Sequence, residues 1–209
     1  MKTIRFIILV SLLSGSLLPA HAQANMGEFK WGLKAGVNFA GINNLEDIEK
    51  DNGRVGFVGG AFCKIPLKSN LSLRPELLFN MKGSSLLIPS DAVGSTDRVR
   101  FTMNYLELPL SLDFEFFGIW DVHAGVQGSL LISENRKIGD SSVTGDSEDF
   151  NDFDFGWHAG TGIDLGNLGL HVRFQQSLTP FYEALNYGAG DINLRNYGIT
   201  LAFSYMFLR

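Results

Sequence analysis

The most constraining stretch is the tail, Arg195 to Phe207, RNYGITLAFSYMF. Every second residue, Tyr197, Ile199, Leu201, Phe203, Tyr205 and Phe207, is apolar or aromatic. Asn196, Gly198, Thr200, Ala202 and Ser204 between them are small or polar, and only Met206 breaks the rule. Period-two alternation marks a strand with two unlike faces. Rings at both ends of one face and aliphatics between them suit a strand whose outer side meets lipid, with Ile199 read as facing mid-bilayer. Such a strand cannot keep an open edge in a bilayer, because unpaired backbone groups there have no water to bond. It therefore demands a closed barrel.

Seven further segments fit the same template. They run Trp31–Gly41, Val55–Leu67, Leu71–Lys82, Phe101–Phe114, Trp120–Ser133, Phe153–Leu165 and Leu168–Leu178. In the fourth, the large residues change parity: Phe101, Met103 and Tyr105 are odd, Leu106 to Phe114 even. A one-residue slip flips every side chain to the other face, so a β-bulge is expected near Tyr105, with Met103 and Tyr105 outward. Pro66, Pro75 and Pro109 fall inside predicted strands and must each interrupt a ladder. Pro66 fits a strand end, Pro75 a loosened end of the barrel, and Pro109 the neighbourhood of the bulge.

The connections alternate. Short ones follow strands two, four and six. Long ones, Asn43–Arg54, Gly83–Arg100, Glu134–Asp152 and Thr179–Leu194, follow strands one, three, five and seven. One helical turn is conceivable over Leu45–Lys50. The expected fold is all-β: an eight-stranded antiparallel up-and-down transmembrane β-barrel with four long external loops and short periplasmic turns. Aromatic residues gather at both expected rims. Trp31, Phe114, Phe116, Phe117, Trp120, Tyr205 and Phe207 lie on the short-turn side; Phe39, Phe57, Phe79, Phe101, Phe153, Phe155 and Tyr197 lie on the other. The rival is a soluble barrel resembling a lipocalin, which would place the large apolar residues inside and the charges outside.

The first 22 residues read as an export signal. Lys2 and Arg5 precede the short apolar run Phe6–Leu18, and Ala20-His21-Ala22 suits cleavage before Gln23. The barrel domain is then 23–209. Without Lys2 and Arg5, 15 basic residues remain against 22 acidic ones. That balance excludes nucleic acid as a partner, since nothing would neutralise phosphates. The single cysteine, Cys63, allows no intrachain disulfide and reads as a small lipid-facing residue.

Gly32–Asn38 (GLKAGVN), Leu73–Gly83 (LRPELLFNMKG) and Tyr105–Leu110 (YLELPL) resemble, in that order, the PorT-like outer-membrane β-barrel family. The resemblance runs over nearly all of the chain after the signal. It implies an eight-stranded barrel in the outer membrane of a diderm bacterium, and, for one class of members, an accessory role in protein secretion. The chain ends two residues beyond the terminal aromatic Phe207, where barrels of this kind usually stop.

Alternation assigns Lys34, Lys64, Arg74, Glu76, Lys82, Glu107, Asp113, Asp121, His123, Asp154, His158, Asp164, His171 and Arg173 to the lumen. Eight strands enclose little more than side chains, so these charges are expected to pair into a plug that closes the barrel to ions, with a small-ligand site in the lumen or the loops as the alternative. Asp113 and Asp121 should meet across a turn and need a retained proton or a nearby cation. His123, Asp164 and His171 converge near the periplasmic end. They read first as a hydrogen-bonded network, with metal ligation as the alternative. His158 and Asp154 share an inner face, but spacing fixes no serine beside them, so no lipid-modifying enzyme and no cofactor is expected. The acidic segment with Glu134, Asp140, Asp146, Glu148, Asp149 and Asp152 reads as a solvated loop, with Ca²⁺ or cation-rich lipopolysaccharide contact as alternatives. The expected partners are outer-membrane lipid and lipopolysaccharide, the barrel-insertion machinery through the last strand, and envelope proteins.

Overall fold

A computed structural model of the chain describes residues 28–43, 50–89, 96–138, 141–143, 152–179, 182–184 and 192–207. Eight long strands make the wall: β1 (Lys30–Asn43), β2 (Lys50–Lys68), β3 (Leu71–Pro89), β4 (Thr96–Phe116), β5 (Trp120–Ile138), β7 (Phe153–Leu165), β8 (Leu168–Ser177) and β10 (Ile192–Phe207). Two short strands sit beside them, β6 (Ser141–Val143) on β5 and β9 (Tyr182–Ala184) on β10. Neighbours pair antiparallel in chain order, and β10 returns to β1 from Trp31↔Phe207 to Asn43↔Arg195. The barrel is closed. Among the described residues no helix is long and apolar enough to cross a membrane.

The alternation seen in the sequence sorts the two faces. On β10, Ile199, Leu201, Phe203 and Tyr205 are exposed, while Thr200, Ala202, Ser204 and Met206 are buried. Across the wall Leu33, Val37, Leu77, Leu112, Val126, Ile163 and Val172 also face outward. A continuous apolar exterior around a polar interior is the inverse of a soluble barrel. The aromatic rim on the short-turn side is built from real contacts. Trp31 stacks on Phe207 at 4.3 Å, Tyr205 meets Phe207 at 5.2 Å, and Phe116 lies 4.7 Å from Phe114 and 5.4 Å from Trp120. At the other rim Phe39, Phe57, Phe79, Phe153 and Phe155 are exposed; the side chain of Phe101 lies outside the described residues.

The short turns fall where expected, at residues 69–70, 117–119 and 166–167, although the second, expected over Glu115–Ile119, is shortened because β4 runs on to Phe116. Gly118 and Gly166 adopt positive φ, which glycine does without steric cost. Phe117 does so too, at φ 55, a conformation that costs a bulky side chain about 1–2 kcal/mol. Its ring is 91% exposed at the aromatic rim, where a membrane interface would reward it.

Three expectations are corrected. First, most of Gly83–Arg100 is not loop. β3 and β4 continue in register from Ser84↔Phe101 to Pro89↔Thr96, and β5 runs on to Ile138. Above the lipid a ladder needs no alternation, so the sequence pattern stops before the strands do. Likewise β2 begins at Lys50, inside the expected first loop, and β10 at Ile192; the helical turn expected over Leu45–Lys50 otherwise lies outside the described residues.

Second, the bulge exists but on the partner strand. Asn104 pairs with Ser133 and Tyr105 with Leu131, so Ile132 is the extra residue, on β5. β4 therefore keeps one parity throughout, and Met103 and Tyr105 point into the lumen, at 1% and 0% exposure. Third, Pro109 is not excused by the bulge. Pairing between β3 and β4 lapses between Pro75↔Leu110 and Leu78↔Glu107, and Pro109 stands opposite Glu76 within that gap. Pairing of β3 with β2 lapses at the same height, between Phe62↔Glu76 and Ile65↔Leu73. The two prolines thus open adjacent stretches of the two seams that flank β3, with the register unchanged on either side of each lapse. Pro66 pairs with Ser72 beside a register shift at the strand end.

Candidate functional site

The lumen holds the only concentrated chemistry among the described residues. Every residue assigned to it from the sequence is buried except Asp164, which is half-buried near the short-turn rim. They fall into three connected groups along the barrel axis.

In the middle, Glu76 of β3 sits between two cations from distant strands. Lys34 Nζ of β1 donates to both of its oxygens at 2.9 and 3.0 Å, and the guanidinium of Arg173, on β8, donates to Oε1. Phe62, on β2, lies under Lys34 at 5.8 Å and Arg74 at 6.0 Å, a ring face toward each cation.

Toward the long-loop end, Lys82 Nζ reaches Glu107 at 2.6 Å and Asp154 at 3.7 Å. A side-chain chain extends from there. Asn80 Nδ2 donates to Glu107 and Asn38 Nδ2 to Asn80, both at 3.0 Å, and Thr200 Oγ1 donates to Asn38 at 3.2 Å. Asp154 accepts from Ser177 at 2.6 Å and Thr179 at 3.0 Å. Tyr105, which the sequence pattern placed outside, lies with its ring 5.0 Å from Lys82 Nζ and its hydroxyl 3.5 Å from Asn196 Nδ2.

At the short-turn end, Arg74 binds Asp113 and lies 3.6 Å from Asp121. It lies between the two aspartates, although the register sets Asp113 opposite His123 and Asp121 opposite Glu115, so they do not face each other across the turn as expected. Asp121 Oδ1 is 2.8 Å from His123 Nδ1, and Oδ2 is 3.5 Å from His171 Nδ1. His171 Nε2 lies 3.2 Å from Asp164 and 3.1 Å from Ser204 Oγ. Lys64 closes the rim onto Glu115 at 3.0 Å and Asp164 at 3.4 Å. Of the expected trio His123, Asp164 and His171, the two imidazoles come together, with centroids 6.2 Å apart. The carboxylate between them, however, is Asp121. Its position two residues from His123 on one strand face was visible in the sequence; Glu115, read as turn, was not seen as a lumen contact.

The lumen also contains a serine–histidine pair that spacing did not reveal. Ser111 Oγ and His158 Nε2 share a hydrogen bond of 2.7 Å. His158 Nδ1 has no partner, and Asp154, the acid expected nearby, is engaged by Lys82, Ser177 and Thr179 instead. A nucleophile needs its base oriented by a third group and needs access to substrate. Ser111 has neither: its exposure is 0%. A cavity of about 10 Å³ among Lys34, Val58, Asn80, Glu107, Arg173 and Thr200 is the size of one water. Of the acidic segment, Asp140, Asp146, Glu148 and Asp149 lie outside the described residues.

A closed eight-stranded wall, apolar outside and ionic within, defines a small transmembrane β-barrel. The sequence agrees with the geometry: residues 21–183 match the outer membrane protein beta-barrel domain family, and the chain belongs to that family. This places it in the bacterial outer membrane. No curated protein sequence matches it. Among solved structures it is similar to Ail, the attachment invasion locus protein of Yersinia pestis, at 9% identity and a TM-score of 0.51, over 87% of this chain and 100% of that one. It is similar also to Neisserial surface protein A, at 11% identity and the same TM-score, over 87% and 100% of the two chains. At such identity the likeness concerns the fold alone.

Proposed function

We propose that the chain is a plugged, non-conducting barrel that serves as a structural and interaction protein of the cell envelope, of the PorT-like kind, as an accessory of protein secretion. The observation that carries this reading is the Lys34–Glu76–Arg173 bridge. It ties β1, β3 and β8 across the lumen at a height where an ion would have to pass. Lys82, Glu107 and Asp154 make a second crossing above it, and Arg74, Asp113 and Asp121 a third below. No enzymatic step belongs to this reading: among the described residues the Ser111–His158 pair has no orienting acid, and Ser111 is fully buried. Contacts with partners then fall to the parts outside the lipid, above all the β3–β4 hairpin, which continues paired to Pro89↔Thr96. Cleavage of the leader near Ala22 and placement of both strand ends and the short turns in the periplasm complete the reading.

Planar-bilayer recording tests the plug directly. The folded chain is expected to show no unitary conductance; a stable ohmic channel from the purified barrel would overturn the reading. The secretion role has its own test. Deleting the gene in its native host should deplete secreted proteins from the medium while leaving envelope permeability to detergent unchanged. Unaltered secretion would remove the accessory role and leave the plug standing.

A further inference from the structure

Charge is not balanced evenly along the lumen. In the middle and toward the long-loop end, three cations, Lys34, Lys82 and Arg173, meet three carboxylates, Glu76, Glu107 and Asp154. At the short-turn end two cations, Lys64 and Arg74, meet four carboxylates, Asp113, Glu115, Asp121 and Asp164. The shortfall there is two positive charges, and both paired histidines are at that end.

The atoms at the centre of this acidic end are mismatched. Asp121 Oδ2 and His171 Nδ1 are 3.5 Å apart, both buried, and neither has a hydrogen-bond partner. The opposite nitrogen, His171 Nε2, faces Asp164 and Ser204. With the ring proton there, Nδ1 turns a lone pair toward a carboxylate oxygen. Two acceptors in contact inside a protein need a cation or a second proton between them. His123 adds a further donor: Nδ1 is 2.8 Å from Asp121 Oδ1, and Nε2 is buried without a partner.

We propose that Asp121, His123 and His171 form a buried site for one divalent transition-metal ion of the zinc class. One ligand atom from each of the three residues lies within 4.8 Å of the others. A tetrahedral zinc centre with bonds of about 2.0–2.2 Å holds its donors roughly 3.3–3.6 Å apart, so the set closes by about 1 Å on binding. Two imidazoles and one carboxylate select zinc, cobalt, nickel or copper over Ca²⁺ and Mg²⁺, which prefer oxygen alone. On the far nitrogen of His171, Ser204 Oγ shares a hydrogen bond and the Asp164 carboxylate stands 3.2 Å away, and together they are the outer partners of a ligating ring. Arg74 stands 3.6 Å from Asp121 Oδ1, but the same guanidinium nitrogen is held more closely by Asp113. Glycines keep the space open. A Cβ on Gly162 would stand 2.1 Å from His171 Nδ1 and 2.8 Å from Asp121 Oδ2, and one on Gly160 would stand 2.6 Å from His123 Nε2.

The site is tested on the untagged full chain, refolded into lipid after chelation and titrated with Co²⁺ while its visible absorption is followed. The expected result is one Co²⁺ per barrel with the d–d bands of a four-coordinate ion, displaced by Zn²⁺ and not by Ca²⁺ or Mg²⁺. His123→Ala, His171→Ala and Gly162→Ala should each abolish stoichiometric uptake, Asp164→Asn should weaken it about 10–100-fold, and Ser111→Ala should leave it unchanged. Heat-modifiable gel mobility reports which variants are folded. Absence of uptake by the folded wild type at saturating Zn²⁺ would overturn the proposal, as would uptake indifferent to both histidines. Nitrogen NMR of the wild type decides independently of any variant. A metal-shifted His171 Nδ1 supports the site, and a ring protonated on both nitrogens in the presence of Zn²⁺ gives the missing charge to a proton and ends it. Neither readout depends on whether the barrel conducts.

Discussion

Leu201→Arg is expected to lower the stability of the barrel in lipid by about 2–4 kcal/mol, the cost of a cation on the lipid face near the bilayer midplane. The depth follows from the register. Leu201 pairs with Val37 on one side and Val172 on the other, an aliphatic row between the two aromatic rims. Ile199 is also exposed, but it stands beside Phe39, a member of the outer ring. The alternation alone placed Ile199 at mid-bilayer; the pairing moves it toward the interface, so Ile199→Arg should lose less than Leu201→Arg. Tyr205→Arg, level with Leu33 and Leu168 near the short-turn rim, should lose least, about 0–1 kcal/mol. Denaturant titration of refolding into lipid vesicles gives all three numbers. Equal losses at the three depths would contradict a membrane running along this face.

The ranking shows where sequence reading stops. Period-two alternation yields the faces, and with them the barrel, because a closed lipid-facing wall leaves a residue only two directions. It does not yield height, which is set by how far each strand slides against the next. Nor does it locate a bulge. Parity on β4 changes among residues that are all large and apolar, and Tyr105 is an amphipathic ring that either face accepts. The readable signal was on the partner strand, where Leu130-Leu131-Ile132 gives three apolar residues in succession, the mark of a one-residue slip. Strands also outran their pattern. Ser84–Pro89 and Thr96–Arg100 keep pairing where lipid no longer imposes a face.

The lumen divides along the same line. Which residues enter it was legible, because charge on an otherwise apolar strand can point only inward. Which of them touch was not, because contacts across the lumen join strands far apart in order. Glu76 and Arg173 are 97 residues apart, and no turn links β3 to β8. Near a turn the inference came closer. His123 and His171 were expected together and are, but the carboxylate between them belongs to β5 and not to β7.

Glu76→Gln should be the most damaging single change in the lumen, at about 3–5 kcal/mol. The substitution keeps the shape and removes the one charge that Lys34 and Arg173 share, leaving two buried cations facing each other with no counterion. Their repulsion, and the lost hydrogen bonds, act in a space whose nearby cavity has room for a single water to relieve them. Changing all three members together is a different experiment. Lys34→Met, Glu76→Leu and Arg173→Met remove the desolvation cost along with the attraction, and buried ionic groups replaced by packed apolar ones are often neutral or stabilising by about 1–4 kcal/mol. The triple variant should therefore refold at least as stably as the native chain while the single variant does not. That contrast separates two roles for the bridge. If the triple variant is stable and still silent in bilayer recordings, packing closes the lumen and the ion pairs serve mainly to fix which strands lie opposite one another. If it is stable but conducts, the bridge itself is the barrier to ions, and Lys34, Glu76 and Arg173 are retained for closure at some cost in stability.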